Sequence, residues 1–424
     1  MYRKEILSNG FRVVTHDIAQ RDSVAIGFWL GVGGRYEANA EKGIAHVIEH
    51  MLFKGSQKYS CSAIKELIEG VGGTLNAFTA EEQTCFYAKI PSKYLDRTFD
   101  VLADMVFFPK VQPADLVKEK TVIIEEIKMY HDLPQHVVLE KLDQLMWPDH
   151  PLGESLAGSA ETVSKVTSED IKKFHGVHYN PCNAVLAVCG DLKHRHIVEL
   201  VEKKLGQLKQ LAKSQYVKVP SALELPKTIY TKKDIEQMHL ALGMRAYDEN
   251  HKDKHVVTLL ATILGGNMSS RLFVEVREKK GLAYSIGTSA RCFHDTGVFM
   301  VRAGVDNHKI VEALGLILKE LEKIRTKGVL AGEFTRAKDY LLGQLLLGME
   351  DTMDHMLWLG ESVVARDRLK TLKMIVHEFE KIKKEDVRRV AKEILCKDRF
   401  NLSIVGPVQA KDEKAMNRLL HVKA

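Results

Sequence analysis

The spacing of apolar and polar positions divides the chain into two stretches that read alike. Residues 11–15 alternate after the turn signal Asn9-Gly10, and "SVAIGFWLGVGG" from Ser23 is apolar and β-rich, so the opening is predicted to be strands. The period then becomes helical over about Gly43 to Phe53, closed by Lys54 and Gly55, and again from about Ser62 to Gly70. "GGTLNAFTA" and "QTCFYAKI" predict two strands around a short acidic turn. Helical spacing returns between Pro91 and Pro109 and from Asp115 to Tyr130, stopping before Pro134. "NAVLAVCGDL" reads as a buried strand, followed by a helix to about Leu208.

"KQLAKSQYVKVPSALELPK" then breaks the periodicity and carries two prolines, which marks residues 211–226 as a linker between domains 1–210 and 227–424. Beyond it the order repeats. "QMHLALGMRAY" takes the part of "SVAIGFWLGVGG", a helix over 254–264 that of the helix near residue 46, and "GLAYSIGTSARCFHDTGVFMVRAGV" that of the two strands. Each half closes on an apolar strand, "NAVLAVCGDL" and "FNLSIVGPV". So long a repeat excludes a solenoid and points to duplication of one α+β domain, each copy a mainly antiparallel sheet with helices packed on it.

Composition narrows the function more than the fold. Of 424 residues 45% are hydrophobic and 28% charged, the profile of a globular chain with a core. The net charge of +6 is a small excess of 62 basic over 56 acidic residues, and the charge runs mix signs, so no nucleic-acid partner is expected. Six scattered cysteines form no Cys-x-x-Cys pair, which argues against a disulfide framework and for a reducing compartment. The first residues lack the apolar run of a signal peptide, and no window nears 18 consecutive apolar residues, so a soluble cytoplasmic protein without a membrane span is expected.

The candidate chemistry begins at His46-Val47-Ile48-Glu49-His50. On a helix, residues four apart share a face with Cβ atoms about 6 Å apart, so two imidazoles there can close on one metal ion. Glu49 lies on the same side and can reach a water at that ion without being a ligand. Ile44, Val47, Ile48, Met51 and Leu52 make the opposite side apolar. A catalytic zinc needs a third protein ligand and an open position. The helix "DLVKEKTVIIEEIKMY" puts Glu126 on a face with Ile123, Ile127 and Tyr130, where a carboxylate is costly unless paired. Glu119 lies two turns earlier on that face, whereas Glu125 is rotated about 100° away, towards solvent.

With these residues the chain resembles the pitrilysin or insulinase family of metallopeptidases, in particular its small branch with mitochondrial processing peptidase and bacterial relatives. That family carries H-x-x-E-H in its first domain and a glutamate at the interval that here separates His50 from Glu126. "GIAHVIEHMLFKGS", "GGTLNAFTAEEQT" and "HPLGESLAGS" agree with it too, apart from Ser56 where threonine is usual. The resemblance implies the LuxS/MPP-like metallopeptidase fold and one zinc ion per chain on His46, His50 and Glu126. It makes Glu49 the general base and Glu119 a supporting acid. No second ligand cluster follows the linker, and these ligands would accept cobalt or manganese as well.

The same resemblance assigns substrate contacts. Asn76, Ala77 and Thr79 lie in the strand that matches the family's edge strand beside the metal, to which a peptide adds by backbone hydrogen bonds. Arg277 and Tyr284 match an arginine–tyrosine pair that holds a substrate carbonyl. The expected activity is a zinc-dependent endopeptidase cutting peptides or unfolded segments. The alternative is a non-catalytic or partner-dependent subunit of a processing-peptidase-like complex. Family chambers contain four such domains, so this two-domain chain is expected to pair as a homodimer, or as a heterodimer, with the active site completed by the other subunit.

Overall fold

The computed structural model describes residues 1–220 and 227–420, so residues 221–226 of the expected linker lie outside the described residues. Eleven strands are present among the described residues: β1 (Tyr2–Ile6), β2 (Arg12–Asp17), β3 (Ser23–Leu30), β4 (Thr74–Thr79), β5 (Thr84–Pro91), β6 (Ala184–Gly190), β7 (Thr228–Lys232), β8 (Gln237–Ala246), β9 (Ala283–Cys292), β10 (Gly297–Asp306) and β11 (Asn401–Gly406). They form two sheets, of order β1-β2-β6-β3-β5-β4 and β7-β11-β8-β10-β9. In the first, β2 and β6 are parallel and every other pair is antiparallel. In the second, β7 and β11 are the parallel pair. Apart from the added edge strand β1, the two sheets share one order and one set of strand directions. This is the expected architecture of two α/β domains, each a mainly antiparallel sheet with packed helices.

The chain divides into two compact units, each assembled from three stretches. The first contains residues 1–128, 155–217 and 346–371, the second 129–154, 218–345 and 372–424. The first sheet is apolar on both faces, as the fully buried β6 requires. One face packs under the helices Ile44–Leu52, Leu95–Phe107 and His194–Leu205. The other carries Val14, Ala25, Trp29, Val185 and Ala187, and is closed by Met356, Leu359 and Val363 of the helix Thr352–Arg366. Gly360 lets that helix approach the sheet, since a Cβ there would lie 2.0 Å from the Trp29 ring nitrogen. The second sheet is closed in the same manner by Val138, Leu142 and Met146 of the helix Pro134–Met146, packed against Ala241, Val298 and Met300. No helix among the described residues is long and apolar enough to cross a membrane.

Candidate metal centre

The helix Ile44–Leu52 is held firmly because its apolar side is fully buried: Ile44, Val47, Ile48, Met51 and Leu52 have no exposed surface. Its first turn begins at Gly43, whose φ of 91° suits glycine, and a Cβ there would meet the Ala157 carbonyl at 2.6 Å. The segment around Ala157 and Gly158 therefore docks directly on the start of the helix. The unpaired amides of that first turn are satisfied by the buried carboxylate of Glu37, which accepts from Gly43 N at 2.9 Å and Ala45 N at 2.8 Å. Burial raises the Glu37 carboxyl to about 7, against the pull of those two amides.

On the polar side the ring centroids of His46 and His50 lie 4.7 Å apart. The long helix Pro113–Asp132 brings Glu126 to them: its carboxylate oxygens sit 3.8 Å from His46 Nε2 and 3.3 Å from His50 Nε2. One ligand atom from each of His46, His50 and Glu126 lies within 4.8 Å of the others. Glu119, on the same helix and 6% exposed, meets His50 Nδ1 at 3.2 Å and Lys54 Nζ at 2.5 Å. Glu125 is exposed and pairs with Lys128, as its rotation on the helix predicts.

Glu49 is turned towards β4. The Thr79 hydroxyl donates to its Oε2 at 2.5 Å, and burial, outweighing that bond and the nearby His50, raises the Glu49 carboxyl above the usual range. Among the described residues strand β4 is an edge of the first sheet, paired with β5 alone, and its Asn76 is exposed. Arg277 and Tyr284 belong to the second unit. The Arg277 guanidinium lies 4.6 Å from the Phe273 ring centre and 5.8 Å from that of Tyr284, and the Tyr284 side chain is largely exposed.

These donors fit a zinc ion. Two imidazoles and one carboxylate converge, the number and type a catalytic zinc takes from protein. Burial, with His50 adding to it, lowers His46 to about 4, so its ring is neutral and offers a lone pair. With Nδ1–H donated to Glu119, the His50 Nε2 lone pair is free to face the same point. Sequence spacing did not indicate Glu37 or Lys54. An acid shortly before a helix start was the available signal for Glu37, whereas Lys54 is joined to Glu119 only through space.

Residues 12–160 match the family model described as Insulinase (Peptidase family M16), and residues 165–341 match the one described as Peptidase M16 inactive domain. A zinc protease of Bacillus subtilis, YmxG, described as uncharacterized, is 33% identical over 411 residues, covering 96% of this chain and 98% of that protein. The chain belongs to the M16 (insulinase) peptidase family. A zinc protease of Streptomyces coelicolor, likewise described as uncharacterized, is 34% identical over 426 residues, covering 98% of this chain and 92% of its own length. Two solved structures superpose closely. A protease from Helicobacter pylori has a TM-score of 0.90 at 24% identity, and a peptidase M16 inactive domain from Pseudomonas fluorescens has 0.89 at 20% identity. Each covers 96% of this chain and 99% of its own. At those identities the likeness concerns the fold.

Proposed function

We propose that this M16 chain is a zinc-dependent endopeptidase of the small processing-peptidase-like branch, acting on peptides or unfolded polypeptide segments. The observation that carries the reading is the convergence of His46, His50 and Glu126 beside a hydrogen-bonded Glu49 and an open sheet edge. His46, His50 and Glu126 would hold one zinc ion. The chemistry such an ion supplies is Lewis acidity, which polarises a peptide carbonyl and makes water a nucleophile near neutral pH. Glu49 takes the proton of the attacking water and passes it to the leaving amine, and its burial strengthens it as a proton acceptor. Thr79 fixes that carboxylate, so we assign its side chain to orienting the base and its backbone to the substrate strand. Glu119 orients His50 through Nδ1, with Lys54 balancing its charge.

An extended substrate adds to β4 at Asn76 and Ala77 through backbone hydrogen bonds, so a compact folded protein is a poor substrate. Arg277 and Tyr284, supplied by a second copy of the chain, hold the substrate carbonyl. The compartment is reducing and cytoplasmic, in keeping with six cysteines that form no disulfide among the described residues. The test is cleavage of an unstructured fluorogenic peptide with and without a chelator, beside metal analysis of His50→Ala. Cleavage should stop with chelator, and the variant should hold one zinc ion fewer per chain. Full metal retention in the variant overturns the ligand assignment. Metal binding without cleavage, in the purified homomeric protein, favours the partner-dependent subunit.

A further inference from the structure

A second group of metal-type donors lies in the first unit, apart from the H-x-x-E-H helix. His16 near the end of β2 and Cys189 in β6 are register partners on adjacent parallel strands. Both lie near the Val14 and Ala187 face of the sheet, onto which the helix Thr352–Arg366 packs and brings His355. One ligand atom from each of His16, Cys189 and His355 lies within 4.8 Å of the others. Their ring centroids place His16 and His355 4.3 Å apart.

The side chains are under-used for a structural role. His16 Nδ1 and His355 Nδ1 are both buried without a hydrogen bond of ordinary geometry, and burial lowers the pKa of both rings, with the Met349 backbone opposing it at His355. His355 is 3% exposed, so an unpaired ring nitrogen there is costly unless something else engages it. Its Nε2 meets the Tyr2 hydroxyl at 2.7 Å, and the Tyr2 ring stacks on His16 at 3.9 Å. One ring nitrogen tied to an oxygen partner, with the other turned towards further donors, is how a metal-binding histidine is usually oriented. Cys189 is fully buried and in no disulfide, and burial, opposed by a hydrogen bond with the His16 backbone, pushes its thiol up to about 12. It is therefore not a reactive nucleophile, and a cation is the partner that can draw off its proton. The sequence concealed this group because its members come from the start, middle and end of the chain, with no spacing motif.

We propose that His16, Cys189 and His355 form a second, non-catalytic site for a thiophilic d10 cation such as Zn²⁺, tying the strand pair β2/β6 to the helix Thr352–Arg366. Two imidazoles and one thiolate are a soft donor set that favours such ions over magnesium or calcium. Binding forms one metal–sulfur bond and two metal–nitrogen bonds, and the thiol proton leaves to solvent. β1 is an edge strand whose Tyr2 covers His16, so its transient opening gives the ion a path inward.

This site contains sulfur and the His46 site does not, which lets one measurement separate them. Apo full-length protein is titrated with Co²⁺, and the thiolate-to-cobalt charge-transfer absorption is followed. The expected result is a band that saturates within two equivalents per chain in the wild type and at one equivalent in His50→Ala, and that disappears when zinc is added. Cys189→Ala should abolish it, and His355→Gln should weaken cobalt binding at least tenfold, each variant being checked for native circular dichroism. If Cys189→Ala does not fold, His355→Gln alone decides. A wild-type protein without the band, a band unchanged in the folded variants, or a band that zinc does not displace overturns the proposal. These outcomes leave the peptidase reading untouched, because chelator-sensitive cleavage depends on the sulfur-free ligands.

Discussion

The helices Ile44–Leu52 and Lys254–Gly265 hold the same place in two sheets of the same order, yet among the described residues only the first contributes to a cluster of metal-type donors. Both bury an apolar stripe against their own sheet. The difference lies in what their polar positions meet. In Lys254–Gly265 most are satisfied close by: Thr258 Oγ1 donates to the Lys254 carbonyl at 3.2 Å, Thr262 Oγ1 to the Thr258 carbonyl at 3.0 Å, and Lys254 Nζ pairs with Glu249 at 2.8 Å, while His255 reaches Glu378 of another helix at 2.9 Å. In Ile44–Leu52, His46, Glu49 and His50 reach side chains of other elements, namely Glu126, Thr79 and Glu119. A scaffold used twice thus keeps its packing, while among the described residues only the first helix has several polar side chains that converge with those of other elements on one point.

The strongest way to break this comparison is to remove the base and leave the fold intact. Glu49→Gln is expected to retain its metal and lose about 10²–10⁴-fold in kcat/KM, since the amide keeps the shape but cannot accept the proton. Wild-type turnover in that variant would reduce Glu49 to a helix residue and make the two helices functionally equal.

The next effect concerns what the second unit contributes. His50→Ala and Arg277→Ala are each expected to be inactive, and subunit exchange between them should place both defects in one site and none in the other. Activity should return to about one quarter of wild type for random pairing of equal amounts. Exchange confirmed by native mass with no returning activity would place the Arg277–Tyr284 contribution within its own chain or with a different partner.

A smaller effect is expected at the supporting acid. Glu119→Gln should weaken zinc binding about 10–100-fold in a competition titration, because His50 loses a charged acceptor. Thr262→Val on the second helix should leave zinc affinity unchanged. Equal effects from the two substitutions would mean that the measured loss reflects general stability and not the site.

The smallest difference is in acid. Asp100 is held to about 2 although burial opposes this, because Lys58, Tyr59 and Lys204 all donate to it. A carboxyl lowered from its ordinary 3.8 contributes stability that is fully present above about pH 4 and is lost as pH falls towards 2. Asp100→Asn should flatten that part of the curve of stability against pH, measured by urea unfolding. An unchanged acid limb would mean that other carboxylates govern acid unfolding.

Much of both the fold and the metal site was legible in the chain. Periodicity placed β3, β5, β6, β8 and β10 and both helices compared above, because strands buried on both faces read as continuous apolar runs and helices repeat at 3.6 residues. The i, i+4 histidines and Glu126 could be paired because a carboxylate on an apolar helical stripe needs a partner. The tertiary structure alone decided which groups far apart in the chain would meet. It laid the helix Thr352–Arg366 on the first sheet and Pro134–Met146 on the second, since each sheet had a second apolar face to cover and nothing local records which helix covers it. It also joined Glu37 to the helix start, Lys54 to Glu119, and His16 to Cys189 and His355. Sequence spacing reports neighbours along one helix or strand, whereas these partners become neighbours only through packing and strand order.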